Sequence, residues 1–211
     1  MRRFVILLAL AGILVVAAAV VFLSWDLDWR WRPTTIARNQ TEIAQTLEQS
    51  GWVSPHLTGP KLYVLAYRGC QACQQFEQAA FPKLQAAQVD TRVIMVARAD
   101  RNGQSLSTPA ERATVAELWL GRSWKLFQQW SLADPHGWAA PGIAPADGDA
   151  ARTAVVEAGR TLVASIAPLL RANGVRFDYP LLVWWTKDGH MRACACTAPQ
   201  SWSHVEKELG A

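Results

Sequence analysis

Two cysteines separated by two residues, Cys70 and Cys73, stand where an apolar run gives way to a run rich in Gln and Ala. Residues 61–67 have the composition of a buried strand, and residues 74–87 are typical of a helix, which Pro82 should kink. Two cysteines three positions apart on a first helical turn lie close enough to form a disulfide. Cys70 also lies at the positive end of the helix dipole, which favours thiolate over thiol. Because the thiolate is the nucleophile, the pattern predicts thiol–disulfide exchange.

Three interpretations of this pair remain open: a redox dithiol, a structural disulfide, and half of a metal site. A CxxC at a strand-to-helix turn is typical of redox pairs, so exchange is the favoured interpretation. In that interpretation Cys70 is the attacking thiolate, exposed at the helix start, and its pKa should lie below the ordinary value of about 8.5. Cys73, a turn further in, resolves the mixed disulfide.

The elements around the pair predict an α/β fold. A strand, the CxxC helix and a second strand follow one another, which indicates a βαβ unit with parallel strands and a right-handed crossover. A mainly helical insertion separates this unit from a two-stranded hairpin and a last helix. The predicted elements are a helix at 40–49, strands at 61–67 and 91–97, an insertion at 109–174 with helices at 109–130 and 150–172 and a loop at 131–148, strands at 181–185 and 191–196, and a helix at 200–209.

This order of elements, together with the CxxC, resembles the thioredoxin superfamily over residues 61–209. The turn Gly-Cys-Gln-Ala-Cys-Gln-Gln-Phe at 69–76 is similar to the active-site turn of periplasmic Dsb-type disulfide oxidoreductases and isomerases, above all their C/G catalytic domains. The resemblance implies a thioredoxin-like fold with a helical insertion, and a catalytic pair that needs no cofactor. Residues 25–60 are too short to form the dimerisation domain that precedes the catalytic domain of the isomerases, so the dimeric isomerase action of that group is not expected. The Gln-Ala dipeptide leaves the direction of the reaction open. The chain is also similar to thioredoxin-like proteins encoded in integrative conjugative elements.

A proline leads the strand that follows the insertion. The resemblance places Tyr179 and Pro180 beside the CxxC, where the family has a cis bond that turns the backbone of the preceding residue toward substrate and keeps metal from bridging the thiols. Both residues are therefore expected to bind substrate. A cis X–Pro bond is uncommon, about 5–6% of such bonds, so the alternative is an ordinary proline that starts a strand.

A second cysteine pair, Cys194 and Cys196, lies on the predicted return strand of the hairpin. Residues i and i+2 of a strand point to one face. In a thioredoxin-like fold the strand that begins at Pro180 starts beside the CxxC, so its antiparallel partner ends there. One hypothesis is a second dithiol that exchanges electrons with the first pair. A flat strand holds two such sulfurs too far apart, so a disulfide would need a bend. The alternative is two structural cysteines without a redox role.

The N-terminus predicts a membrane helix. Arg2 and Arg3 precede an uncharged run at 4–23, and twenty helical residues span about 30 Å of hydrocarbon. A cleaved signal peptide is the alternative, since the three alanines at 17–19 supply a cleavage site. The two arginines should stay in the cytoplasm and the remainder should be exported. The predicted organisation is a membrane anchor or signal peptide at 1–25, a linker with a short helix at 26–60, and a thioredoxin-like domain at 61–211.

These features together predict a membrane-anchored periplasmic thiol–disulfide oxidoreductase that acts on protein disulfides. Its partners would be client proteins with cysteines, a redox partner protein and the inner membrane. The net charge of +4 is modest and no basic cluster is interleaved with aromatic residues beyond the membrane flank, so nucleic acid is not expected as a partner. No cofactor or metal site is predicted. Two other functions remain open: a non-catalytic thioredoxin-fold component of an envelope or conjugation apparatus, and a Cu- or Zn-binding thiol protein.

Overall fold

The computed structural model describes residues 2–134 and 137–211, and Met1, Pro135 and His136 lie outside the described residues. The chain forms two compact units, one that ends at Arg32 and a second over Pro33–Ala211. The first unit holds helix α1, Arg2–Leu27, followed by a short 3₁₀ turn at Trp29–Trp31. The second unit holds a five-stranded sheet and the remaining helices.

The segment Gly12–Trp31 is long and apolar enough to cross a membrane, and a signal sequence would have the same length and composition. Within it, the apolar side chains of Val15, Phe22 and Leu23 are exposed. Ala150–Arg171 also has the length and composition of a membrane span. That helix supplies buried side chains to the second unit, so its apolar character belongs to a protein core.

The second unit's elements are β1 (Thr34–Thr35), α2 (Gln40–Glu48), β2 (Lys61–Ala66), α3 (Gln71–Ala86), β3 (Asp90–Met95), α4 (Pro109–Gly121), α5 (Trp124–Leu132), α6 (Ala150–Arg171), β4 (Leu181–Trp185), β5 (Met191–Ala195) and α7 (Pro199–Leu209). The sheet is mixed, in the strand order β1-β5-β4-β2-β3. The predicted βαβ unit is confirmed, because β2 and β3 are parallel neighbours joined through α3. The predicted hairpin is confirmed too, since β4 pairs with β5 in antiparallel register.

Helices cover both faces of the sheet. Successive side chains of a strand point to opposite faces, and in β2 Val64 belongs to one buried cluster while Tyr63 and Leu65 belong to the other. The first cluster contains side chains of α3, α4, α5 and α7. The second contains side chains of α2 together with Leu162, Ile166 and Leu170 of α6. The fold is therefore a mixed α/β arrangement that is consistent with a thioredoxin-like fold.

The predicted helix at 109–130 is wrong in one respect, because two helices occupy that region. Arg122 adopts the left-handed conformation, with φ of 51°, and its N–H donates to Leu118 O at 3.0 Å to close α4. Ser123 then caps α5, since its hydroxyl accepts the Leu126 N–H. Continuous apolar periodicity concealed this break. Pro82, by contrast, lies inside α3, which continues through it.

The stretch predicted as a linker with a short helix is partly built into the sheet. Thr34 and Thr35 pair with β5 in antiparallel register, and Ile36 is completely buried. The predicted helix is present as α2, and its buried Ile43 and Leu47 pack into the core. A strand of two residues is too short to leave a periodic signal, so only its tertiary pairing reveals it.

Candidate functional site

The CxxC turn lies between β2 and α3, as the sequence predicts. Cys70 is the residue immediately before α3, in an extended conformation, and it forms a disulfide with Cys73. The N–H of Cys73 donates to Cys70 Sγ at 3.1 Å, so the sulfur satisfies one of the free donors at the helix start. Gly69 has a φ of +78°, which favours glycine, and so allows the chain to turn between strand and helix.

The position of Cys70 favours a thiolate in the reduced protein. Its sulfur accepts a backbone N–H at the positive end of the helix dipole, and both interactions stabilise negative charge. The expectation that Cys70 is exposed is wrong, because only 4% of its surface is accessible. The turn folds into the core cluster, where Cys70 lies with Ala66 and Phe76. Burial disfavours the charged form of a thiol, so the helix start and the Cys73 N–H must outweigh it for Cys70 to be acidic.

Arg68 ties this turn to the C-terminal end of α5. One of its guanidinium nitrogens donates to Ala133 O at 2.6 Å and another donates to Trp130 O, and the guanidinium lies 5.3 Å from the Trp130 ring centre. Burial lowers the pKa of Arg68. Sequence analysis missed this residue. The available signal was one arginine directly after a buried strand and two positions before Cys70.

Glu77 adds a carboxyl group one turn of α3 beyond Cys73. Burial raises the pKa of Glu77 to about 7, although a hydrogen bond with Ser131 and the charge of Arg68 both favour the ionised form. Residues i and i+4 of a helix are neighbours on its surface, so Glu77 shares a face with Cys73. It lines a cleft of about 280 Å³ between α3 and α5. Sequence analysis missed Glu77, for which the four-residue spacing was the only signal.

The Tyr179–Pro180 peptide bond is cis, which confirms the conformation that the resemblance implied. Leu181, the next residue, pairs with Leu65 of β2, so Pro180 stands at the β2 end that leads into the CxxC turn. The Tyr179 ring packs edge-on against Tyr67 at 5.0 Å between ring centres. Burial raises the pKa of Tyr179 to about 12, so its hydroxyl is neutral at physiological pH. Substrate binding by Tyr179 and Pro180 stays a prediction.

The second cysteine pair, Cys194 and Cys196, forms a disulfide at the end of β5. Its Cα atoms lie 5.2 Å apart, whereas two residues of a regular strand advance about 6.6 Å. The predicted bend is present, since the Thr197 N–H donates to Ala195 O at 2.9 Å. The Cys196 N–H donates to Pro180 O at 3.0 Å, so the second disulfide borders the cis-proline.

A metal centre finds no ready-made ligand set in the described part of the chain. Within residues 2–134 and 137–211, no three His, Cys, Asp or Glu side chains come together in a group that could hold an ion. All four cysteines are engaged in disulfides. No histidine is assigned to a site, and His136 lies outside the described residues.

Comparison with known proteins adds little to these assignments. No protein-family model matches the sequence, and no curated protein matches it. Among solved structures, the chain is similar to BcfH from Salmonella enterica Typhimurium, with a TM-score of 0.49 and 14% sequence identity. The match covers 100% of this chain and 94% of that chain.

Proposed function

We propose that this protein is a thiol–disulfide oxidoreductase that acts on protein disulfides through Cys70 and Cys73. The observation that carries the proposal is the hydrogen bond from the Cys73 N–H to Cys70 Sγ at the start of α3. That contact places the sulfur where a thiolate is stabilised, and a second sulfur already bonds to it. A purely structural disulfide has no need of the capping position that Cys70 occupies.

The exchange follows from this geometry in two steps. The Cys70 thiolate attacks one sulfur of a client disulfide, forms a mixed disulfide and releases the other client sulfur as a thiolate. Cys73 then loses its proton and attacks Cys70 Sγ, which re-forms the Cys70–Cys73 bond and frees the client. Glu77 shares a helix face with Cys73 and titrates near pH 7, so it is the group we assign to take up that proton. The same steps in reverse oxidise a client dithiol.

Client binding falls to the surface around the cis-proline. Tyr179 and Tyr67 form a half-buried aromatic pair on the approach to the turn, and Arg98 lies 4.2 Å from the Tyr67 ring centre. The Tyr179 N–H donates to Asp178 Oδ1 at 2.9 Å and the Pro180 carbonyl accepts the Cys196 N–H, so the Tyr179 carbonyl is the backbone group that we assign to an extended client segment. The partners are thus client proteins with cysteines and a redox protein that resets the pair.

The membrane location rests on α1. We propose that α1 is an uncleaved anchor, with the arginines at its start in the cytoplasm and Pro33–Ala211 in the periplasm, attached to the inner membrane. Disulfides persist in such an exported compartment, which accords with two disulfides in one domain.

Reduction of insulin by dithiothreitol, with the full-length protein in detergent as catalyst, tests the function. The Cys70→Ser variant should catalyse the reaction at least 100-fold more slowly, since Cys70 is the sulfur at the start of α3 that we assign as the attacking thiolate. The Cys73→Ser variant should accumulate a mixed disulfide with insulin. The matched control is Gln75→Ser, which replaces an exposed side chain of α3 two positions after Cys73 and should keep the wild-type rate. Undiminished catalysis by folded Cys70→Ser protein would overturn the proposal and favour a non-catalytic role.

A further inference from the structure

The end of β5 brings the second disulfide to the same end of the sheet as the CxxC turn. Leu65 of β2, Leu181 of β4 and Ala195 of β5 are partners in register across three neighbouring strands. Cys196 follows directly and donates its N–H to Pro180 O. Since neighbouring strands lie about 4.8 Å apart, the ends of β5 and β2 are about 10 Å apart. The CxxC turn starts immediately after that end of β2.

The two disulfides also share one side of the sheet. Trp202 of α7 connects them: its indole N–H donates to Cys196 O at 2.8 Å, and its ring centre lies 5.8 Å from that of Phe76. Phe76 lies one turn of α3 beyond the CxxC, so a single side-chain layer joins the pairs. The hydrophobic cluster on this face contains Cys70, Cys73, Cys194 and Cys196.

We propose that Cys194 and Cys196 are a second redox pair, which exchanges electrons with Cys70 and Cys73 inside one chain. This inference rests on the proposed function, because it needs the first pair to undergo exchange. Cys194 is the sulfur we assign to receive the attack, because it is 8% exposed whereas Cys196 is completely buried.

The proposed transfer exchanges one disulfide for another and needs no outside reagent. The Cys70 thiolate attacks Cys194 Sγ, which forms a Cys70–Cys194 bond and breaks the Cys194–Cys196 bond with release of the Cys196 thiolate. Cys73, after losing its proton, attacks Cys70 Sγ, re-forms the first disulfide and releases the Cys194 thiolate. The protons lost by the first pair are taken up by the second. Two electrons thereby pass from one pair to the other, and the reverse steps return them.

A trapping experiment tests the contact between Cys70 and Cys194. The full-length Cys73→Ser/Cys196→Ser variant is equilibrated in a glutathione redox buffer, blocked with N-ethylmaleimide and digested with trypsin. Tryptic peptides 69–83 and 193–207 should then be found joined by a disulfide in most molecules. The matched control, Cys73→Ser/Cys194→Ser, keeps the buried sulfur instead and should give at least tenfold less of the joined product. Glutathione adducts alone in the first variant, or equal yields from both, would overturn the assignment.

The wild-type chain supplies a measurement that does not depend on how a variant folds. One equivalent of reductant is added, and thiols are alkylated at successive times and located by mass spectrometry in peptides 69–83 and 193–207. Early samples should carry the label in peptide 69–83 and later samples should carry it in peptide 193–207. The rate constant of this change should be the same after a tenfold dilution of the protein. A distribution that does not change with time, or a rate proportional to protein concentration, would contradict transfer within one chain.

The insulin assay separates this inference from the function on which it rests. If transfer fails while Cys70→Ser still abolishes insulin reduction, the second pair is a structural disulfide and the proposed function stands. If Cys70→Ser protein reduces insulin normally, the proposed function fails and the relay fails with it.

Discussion

At the scale of single residues, the sulfur of Cys70 has two roles. It bonds to Cys73, and it accepts the N–H that the first turn of α3 would otherwise leave without a partner. Two charged residues lie close along the chain: Arg68 just before the turn and Glu77 just after it. The guanidinium fixes the turn to α5, and the carboxyl group stays protonated to an unusually high pH. Each of these roles can be tested by one substitution.

The Glu77→Gln variant should change how stability depends on pH. The pKa of Glu77 is raised from 4.5 to about 7 on folding, so the folded state holds this proton more tightly than the unfolded state does. The stability contributed by that proton is fully present below pH 4.5 and is lost as pH rises to about 7. The variant keeps a neutral side chain throughout, so its stability relative to wild type should rise over this window.

Urea unfolding of both proteins at pH 4.5, 6 and 8 measures the difference. We expect the free energy of unfolding of the variant minus that of wild type to increase from pH 4.5 to pH 6 and again from pH 6 to pH 8. A difference that is the same at all three pH values would show that Glu77 does not titrate in this range. In the insulin assay, the variant should also lose the part of the rate that rises near pH 7.

The Arg68→Met variant tests the tie between the turn and α5. Methionine keeps most of the buried volume but removes two charge-assisted hydrogen bonds, which contribute about 1.5–3 kcal/mol each where the charge is well paired. Relief of burying a charge offsets part of that loss, so we expect the free energy of unfolding to fall by about 1–3 kcal/mol. Insulin reduction should fall as well, because the turn loses its support. Wild-type stability in the variant would contradict a structural role for these contacts.

At the scale of elements, the sheet register brings the cis-proline and both disulfides to one end of the fold. Much of this was predictable: a strand, a CxxC helix and a parallel strand each leave a local signal, and Pro180 marks the start of β4. The break at Arg122 and the pairing of Thr34 and Thr35 with β5 were not predictable. The first lies in a continuous apolar pattern, and the second depends on partners far away in sequence.

The Ile36→Ala variant tests whether the stretch before α2 belongs to the folded domain. Ile36 is completely buried and its N–H donates to Met191 O at 2.9 Å, so truncation should cost about 2–5 kcal/mol in free energy of unfolding. The control is Leu132→Ala at the end of α5, where 88% of the side chain is exposed and a change within about 0.5 kcal/mol is expected. Equal, small effects from both variants would mean that this stretch is a linker.

At the scale of the whole molecule, an apolar N-terminal helix precedes a domain with two disulfides. If α1 is an uncleaved anchor, the full chain should stay in the membrane pellet after an alkaline carbonate wash, and mass spectrometry should recover peptides from the first twenty residues. A soluble protein whose sequence begins shortly after the alanines at 17–19 would contradict an anchor and indicate a cleaved signal peptide. The charge and composition of α1 fit both outcomes, so the mature N-terminus distinguishes them.

The sequence could predict the candidate cysteine pair and its disulfide but not the surroundings of that pair. Spacing and position identify Cys70 and Cys73, and the resemblance implies the cis bond before Pro180. The burial of Cys70 depends on a core cluster that several elements build, and the raised pKa of Glu77 depends on α5 packing beside α3. No local pattern in the sequence encodes either arrangement. Properties that arise from neighbours distant in sequence are the ones that required a structure.

The central claim is that helix α3 makes the reduced Cys70 sulfur unusually acidic, and thiolate absorbance at 240 nm tests it most directly. The fully reduced wild-type protein and the Cys70→Ser variant are titrated with pH, and the difference between the two curves reports Cys70. We expect the difference curve to have its midpoint well below the ordinary cysteine value of about 8.5. A midpoint at about 8.5 or above would contradict the claim, and with it the assignment of Cys70 as the attacking thiolate.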